Sequence, residues 1–258
     1  MFSKLRSLIF KVDPEKAHTL AIKSLKFNLV PNVFDENKND PIFQTKIFDK
    51  DLDNPIGMAA GFDKNAEVYN SLFKLGFGFV EVGTITPLKQ YGNPKPRVFR
   101  LVEDEALINR LGFNNQGAEI VKERIKRNKK LGLLGINVGP NKESSDRLND
   151  YLIGLKTFYD DADYITINIS SPNTENLRTF HEGDKLQDLL KSIMEERNNL
   201  KSNIPIAVKV SPDISEDQVN QISEILLEHE IKAIIVSNTS EATRDKLSNI
   251  QRHQKGGL

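Results

Sequence analysis

Six short apolar runs recur along this chain of 258 residues, and they set what it can fold into. They are NPIGMAA (54–60), FVEVGT (79–84), LGLLGINVG (131–139), YITINIS (164–170), IAVKVS (206–211) and AIIVSN (233–238). Each is apolar along most of its length, as a strand covered on both faces must be. Helical patterns lie between them, over about residues 64–75, 116–128, 145–158, 185–201 and 215–229. Ser215-Glu216-Asp217-Gln218 reads as a capping box, and Gly76 as a residue that ends a helix. This alternation predicts parallel βαβ units.

The expected fold is therefore α/β: a (β/α)8 TIM-type barrel with about six βα units present, or else a doubly wound sheet. Six strands leave the edges of an open barrel exposed, so the count favours a barrel from which about a quarter is absent. Two segments break the rhythm. VFRL and ALIN, within residues 98–117, are expected to pair as a hairpin about Glu103-Asp104-Glu105, and residues 42–52 form a second hairpin candidate.

The runs end in an unusual set of polar residues. These are Ala60-Gly61-Phe62-Asp63-Lys64, Gly83-Thr84, Asn137-Val138-Gly139, Asn168 with Ser170-Ser171-Pro172-Asn173, Lys209-Val210-Ser211 and Ser237-Asn238-Thr239. Singly, each has an ordinary explanation, because Asn and Ser after strands make turns and a lone lysine is usually solvated. In a barrel they all reach one mouth, where sites are built, and packing alone does not ask for them. Carboxamides and hydroxyls suit the edge of a flat, amide-rich ring, and two lysines suit negative charge.

The sequence also excludes several chemistries. There is no cysteine, hence no disulfide, thiolate metal site or thiol nucleophile. His18, His181, His229 and His253 fit no ligand spacing, and no dinucleotide fingerprint or P-loop is present. A redox reaction in this chain requires an organic cofactor. Thirty-six basic residues balance 36 acidic ones, so no nucleic-acid partner is indicated.

The balance is uneven locally. Residues 1–27 carry six basic and two acidic side chains. Phe2, Leu5, Ile9 and Val12 fall on one helical face. Asp13-Pro14 then opens a second helix with Ala17, Leu20, Ala21 and Leu25. Such a pair either docks on its own domain or lies on an anionic membrane surface, and pattern alone leaves both open.

Read together, NPIGMAAGFDKN (54–65), GTITP (83–87), NRLGFNNQG (109–117), GINVG (135–139), NISSPNTENLR (168–178), AVKVSPD (207–213) and SNT (237–239) closely resemble the dihydroorotate dehydrogenase family. Within it they resemble the membrane-associated, quinone-reducing class. The resemblance runs from about residue 5 to the last residue, in order and spacing. It implies an FMN-binding barrel that oxidises dihydroorotate to orotate in pyrimidine biosynthesis and passes the electrons to a membrane quinone. By the same resemblance Ser171 is the catalytic base. The soluble classes carry cysteine at that position.

The resemblance assigns substrate binding to Lys64, Asn109, Asn168, Asn173, Asn238 and Thr239, with the loop Arg110-Leu111-Gly112-Phe113. It assigns FMN contacts to Ala60, Gly61, Lys64, Thr84, Asn137, Asn168, Lys209 and Ser237, where Ser237 stands in place of the usual Thr. His18 and Arg100 match positions lining the family's quinone tunnel. Residues 1–38 are then the quinone and membrane extension and 39–258 the barrel domain. The implied location is the cytoplasmic face of the cell (inner) membrane, held peripherally. The family's glycine-rich phosphate loops are expected beyond Leu258. The rivals are another FMN barrel acting on a dihydropyrimidine, and an inactive membrane-surface fragment.

Overall fold

The computed structural model of the chain describes residues 6, 9–27, 29, 41–174 and 176–258. Most of the first expected helix and of the polar link at 35–41 lies outside these residues. The second helix is present as α1 (Pro14–Lys26), with Pro14 at its start and the Asp13 carboxylate accepting the Lys16 amide at 2.9 Å.

All six apolar runs contribute to one parallel sheet. Its strands are β3 (Gly57–Met58), β4 (Phe79–Ile85), β7 (Leu133–Val138), β8 (Tyr164–Asn168), β9 (Ile206–Lys209) and β10 (Ala233–Ile235), ordered as in the sequence. Each strand pairs with the next, and the helices that follow them cover the outside. These are α2 (Tyr69–Lys74), α3 (Ala118–Lys126), α4 (Arg147–Phe158), α5 (Gly183–Asn199) and α6 (Glu216–Glu228). The sheet curls as part of a TIM-type barrel, with β3 and β10 as its edges.

Alternation within each strand separates two environments. Val80, Val82, Leu134, Ile136, Ile165, Ile167, Ile206 and Val208 point outward and pack against Leu155, Phe158, Leu189 and Leu190 of the helices. The side chains between them point inward. At the base of the barrel, Leu133, Tyr164 and Ala207 form a separate cluster with Phe79 and Leu52. Above them the interior becomes polar, with Glu81, Thr166, Asn137 and Asn168 all buried.

Both expected hairpins form. The first joins β1 (Thr45–Ile47) to β2 (Lys50–Leu52) and closes the base of the barrel, placing the Phe48 ring 5.2 Å from that of Tyr164. The second joins β5 (Val98–Leu101) to β6 (Ala106–Asn109) at the opposite end.

One helix departs from expectation. The pattern over 64–75 yields helix only at Tyr69–Lys74. The buried Asp63 carboxylate accepts the amides of Asn65, Glu67 and Val68 at 3.3, 2.8 and 2.7 Å. Those bonds hold a turn in which Ala66 takes a left-handed φ of 52°, so helix cannot begin until the turn ends.

At the base, Asp163 accepts the Leu134 amide at 2.7 Å and pairs with Lys130 and with Lys50 of the closing hairpin. Burial pushes its carboxyl up, but the Leu134 amide and the two ammonium groups outweigh burial and hold it below its ordinary value of 3.8. A depressed carboxyl stabilises the fold above its unfolded pKa, and that stability is lost as pH falls through the lower folded value. We expect Asp163→Asn to lower unfolding free energy at neutral pH by roughly 1–3 kcal/mol. It should also flatten the loss of stability below about pH 4. Urea unfolding at neutral and acid pH checks both; an unchanged acid limb would remove Asp163 from the account.

Candidate functional site

The inward polar residues continue to the C-terminal ends of the strands, and there they open into a cavity of about 440 Å³. The ends of β3 and β4 contribute Ala60, Gly61, Lys64 and Thr84. Asn168, Ser171 and Asn173 come from the end of β8, Lys209 from β9, and Ser237, Asn238 and Thr239 from the segment after β10. Asn109 and the loop Leu111-Gly112-Phe113 come from the β5–β6 hairpin and the residues after it. Separations of more than 100 residues in sequence thus close into one site, as parallel topology requires.

Two expected members stand elsewhere. Asn137 is fully buried behind the cavity: Thr84 Oγ1 donates to its Oδ1 at 2.6 Å, and so does Asn168 Nδ2 at 3.1 Å. Arg110 turns away. Its guanidinium donates to Gln254, Lys255 and Pro96 and lies 4.5 Å over the Phe99 ring, so the loop's contribution begins at Leu111. Asn168 borders the cavity, yet both ends of its carboxamide are held by protein. Its Nδ2 donates to Thr84 and Asn137, and its Oδ1 accepts from Ser170.

Other groups face the cavity with capacity to spare. Lys209 is buried at 9% exposure and its ammonium has no protein partner among the described residues. Asn114 borders the cavity, and its Oδ1 is buried without a hydrogen bond. A buried donor or acceptor left open in this way marks a place for a ligand. Ser171 Oγ accepts the Asn173 amide at 3.2 Å, and among the described residues no histidine or carboxylate bonds to it.

A second cavity, of about 360 Å³, lies between α1 and the mouth. Glu15, His18, Thr19 and Ile22 of α1 face Phe62 and Arg100 across it. Gly61, Lys64, Val98, Leu107, Leu111 and Asn114 border both cavities. His18 meets the Phe62 ring edge-on at 5.2 Å, and Arg100 donates to the Val12 carbonyl at 2.7 Å. Burial, helped by the nearby Lys64 ammonium, pushes His18 down to about 4. Burial also lowers Lys64, to about 8, against the opposing pull of Glu15.

The sequence reading missed the clamp that holds this arrangement. Arg97, buried at 6% exposure, donates twice to Glu15 of α1, at 2.6 and 3.1 Å. It also donates to the carbonyls of Tyr91 and Asn93. Asn93 Nδ2 in turn donates to the Arg110 and Asn173 carbonyls at 3.0 and 3.3 Å. The only sign in sequence is the Gly- and Pro-rich run YGNPKPR (91–97), which is too compact for helix or strand and so must lie over something.

Residues 42–258 match the family model described as dihydroorotate dehydrogenase. The dihydroorotate dehydrogenase (quinone) of Agrobacterium fabrum is 44% identical over 263 residues, covering 100% of this chain and 72% of the relative. The mitochondrial dihydroorotate dehydrogenase (quinone) of Cyclocybe aegerita is also 44% identical, over 98% of this chain and 78% of its own length. Among solved structures, the DHODH of Eimeria tenella in complex with ferulenol superposes with a TM-score of 0.89 at 35% identity. That match covers 95% of this chain and 72% of the other.

The depressed His18 is open to direct measurement. Its ring resonances should stay those of the neutral form from about pH 8 down to about pH 5, where an ordinary histidine titrates. A midpoint near its ordinary 6.5 would mean that the ring is solvated and that α1 is not seated as described.

Proposed function

The chain belongs to the dihydroorotate dehydrogenase family, in its quinone-reducing class, and on that premise we propose how its residues divide the work. The reaction is the oxidation of (S)-dihydroorotate to orotate in pyrimidine biosynthesis, with quinone as the final acceptor. The family is flavin-dependent. The residues of this chain suit FMN: a Lys209 ammonium unpartnered among the described residues, an open Asn114 oxygen and the Thr84 hydroxyl would hold a planar, electron-accepting ring with hydrogen-bonding edges. Gly61 adds clearance, since a Cβ built there meets no atom within 4 Å. Bound FMN supplies the hydride acceptor and the route of the electrons to quinone.

One observation carries the reading. Asn109, Asn173, Asn238 and Thr239 meet around Ser171 in a single cavity, with Lys209 and Lys64 on its border. Carboxamides read the ring's imide edge by paired donors and acceptors, and the lysines steady negative charge on the carboxylate and on the carbonyl next to C5. Ser171 takes the proton from C5. A serine hydroxyl is a weak base, so the acidity that C5 gains from its neighbouring carbonyl is needed. The Asn173 amide steadies Oγ as its own proton leaves. A relay through water or through Thr174, three residues along the chain, carries that proton on.

The second cavity, with His18 and Arg100, is the quinone site. Residues 1–38 serve quinone and membrane, and 39–258 the chemistry. α1 buries Leu25 against the barrel but leaves Leu20 exposed at 56%, and beyond its end Phe27 and Leu29 are exposed at 70 and 71%, beside the basic excess of residues 1–27. No helix among the described residues is long and apolar enough to cross a membrane. An apolar, basic face suits the surface of an anionic bilayer and supports a peripheral seat on the cytoplasmic face of the cell membrane.

Two experiments test this. Ser171→Ala should still bind orotate, while single-turnover flavin reduction by dihydroorotate falls by roughly 10²–10⁴-fold, the usual effect of removing a general base. Reduction at the unmodified rate would make Ser171 a turn residue only. Deleting residues 1–27 should abolish quinone turnover and vesicle binding and leave reduction by dihydroorotate intact. Unchanged quinone turnover would refute the quinone assignment.

A further inference from the structure

Glu81 lies inside the barrel, one layer below the cavity, at 4% exposure. No cation pairs with it among the described residues. Three neutral donors converge on its carboxylate instead: Asn137 Nδ2 at 2.9 Å, Tyr164 Oη at 3.0 Å and Thr166 Oγ1 at 2.8 Å. The chain makes room for this. A Cβ at Gly135 would stand 2.1 Å from the Tyr164 ring, so only glycine lets that ring cross to Glu81. A buried carboxylate is costly, and nothing in the packing of this layer asks for one.

What it does follows from the direction of the bonds. A carboxylate only accepts. Asn137 must therefore turn its amino group to Glu81, which leaves its Oδ1 for the Thr84 hydroxyl and for Asn168 Nδ2. Asn168 is then fixed with Oδ1 toward Ser170, whose hydroxyl donates to it at 2.7 Å. Ser170 Oγ, its proton so committed, accepts Asn238 Nδ2 at 2.9 Å. Asn238 Oδ1 accepts the amide of Thr239 at 2.8 Å and its hydroxyl at 3.3 Å. Every step donates back toward Glu81, across five residues from the ends of β7, β8 and β10.

We propose that Glu81 is the positioning residue that, together with the donor-only backbone amides of Ser170 and Thr239, sets the direction of these bonds, and hence which polar atom Thr84, Asn238 and Thr239 turn to the ligand. A carboxamide is nearly symmetric in shape, so packing alone does not choose between its two ends. An acceptor-only group at one end of the chain does. Glu81 touches no ligand itself. The proposal rests on the reading of the cavity as the orotate site.

The test reverses the polarity and then restores it. Glu81→Gln keeps the shape. The hydroxyls of Tyr164 and Thr166, two donors against one, keep the oxygen of the new side chain, so its amide faces Asn137 and forces that carboxamide over. Orotate binding, read from the flavin absorbance band, should weaken by about 10–100-fold, the effect of one or two reversed bonds. Adding Asn137→Asp moves the acceptor-only group one position along. The carboxylate introduced at position 137 then accepts from the carboxamide introduced at position 81, from Thr84 and from Asn168, and the direction beyond it is as before. The double variant should bind orotate to within about threefold of the unmodified protein.

The side-chain NH2 resonances of Asn168 and Asn238 give a readout independent of flavin and ligand. They should move in Glu81→Gln and return in the double variant. Unweakened orotate binding by Glu81→Gln would overturn the proposal. So would a folded double variant as weak as the single, or loss of folding in both, either of which makes Glu81 a packing residue. If the unmodified protein does not take orotate, the reading of the cavity fails, and the NH2 resonances alone judge the relay.

Discussion

A parallel sheet buried on both faces can carry polar side chains only where each finds a partner, and this constraint shapes the interior of the barrel. Its outward face meets the demand by being apolar, with Ile165 and Ile167 packed against the helices. The inward face grades from apolar at the base, around Leu133 and Tyr164, to polar at the mouth. Between the two, Glu81, Asn137, Thr84 and Asn168 satisfy one another across three adjacent strands. Register makes this possible: Asn137 stands beside Thr166, and Asn168 beside Lys209. A slip of one residue would send each inward group to the outer face and strand it there.

Much of this was legible in the sequence, for reasons that differ between elements. The six strands show because burial on both faces leaves continuous apolar runs, and both hairpins show because their turns are polar and short. The mouth shows because polar residues follow one another at strand ends. What did not show depends on partners remote in sequence. Helix at 64–68 is lost to the Asp63 carboxylate, which reads locally as an ordinary first-turn acid. Arg110 sits in a loop that borders the cavity, yet its guanidinium is claimed by the segment at 254–255, over 140 residues away. Asn137 was expected at the ligand but lies behind the cavity, whereas Asn168 borders it with both ends of its carboxamide held by protein. Glu81 was silent, because one acid in FVEVGT gives no hint of which face it takes.

The two cavities cannot be treated separately. They share Lys64, whose ammonium donates to the Gly61 carbonyl on their common border. Desolvation holds Lys64 near 8, so it remains mostly charged at neutral pH but is responsive to its neighbours. Glu15 and Arg97, paired with each other, are among those neighbours. A cation shared in this way lets the charge state of one cavity be felt in the other without any movement of the backbone.

The β5–β6 hairpin joins these features mechanically. Arg100 on its first strand reaches Val12, and Arg97 at its start holds Glu15, so the hairpin seats α1. Asn109, at the end of the second strand, exchanges both backbone bonds with Gly257, at 2.9 and 2.8 Å. A Cβ at Gly257 would stand 1.8 Å from Thr239 Oγ1, so the segment passes over the strand-end loops at a distance only glycine allows. Asp104 in the hairpin's turn accepts the amides of Ser248 and Asn249 and fastens the same segment from its other end. The hairpin therefore forms a wall of both cavities and the anchor for the chain on either side. Its rigidity matters more than its own small core of Phe99, Leu101 and Ile108, because a shift there displaces α1, the 109–114 loop and residues 256–258 together. A site built on five separate strand ends gains a fixed geometry only if one element ties its rim, and here that element is an insertion outside the barrel pattern.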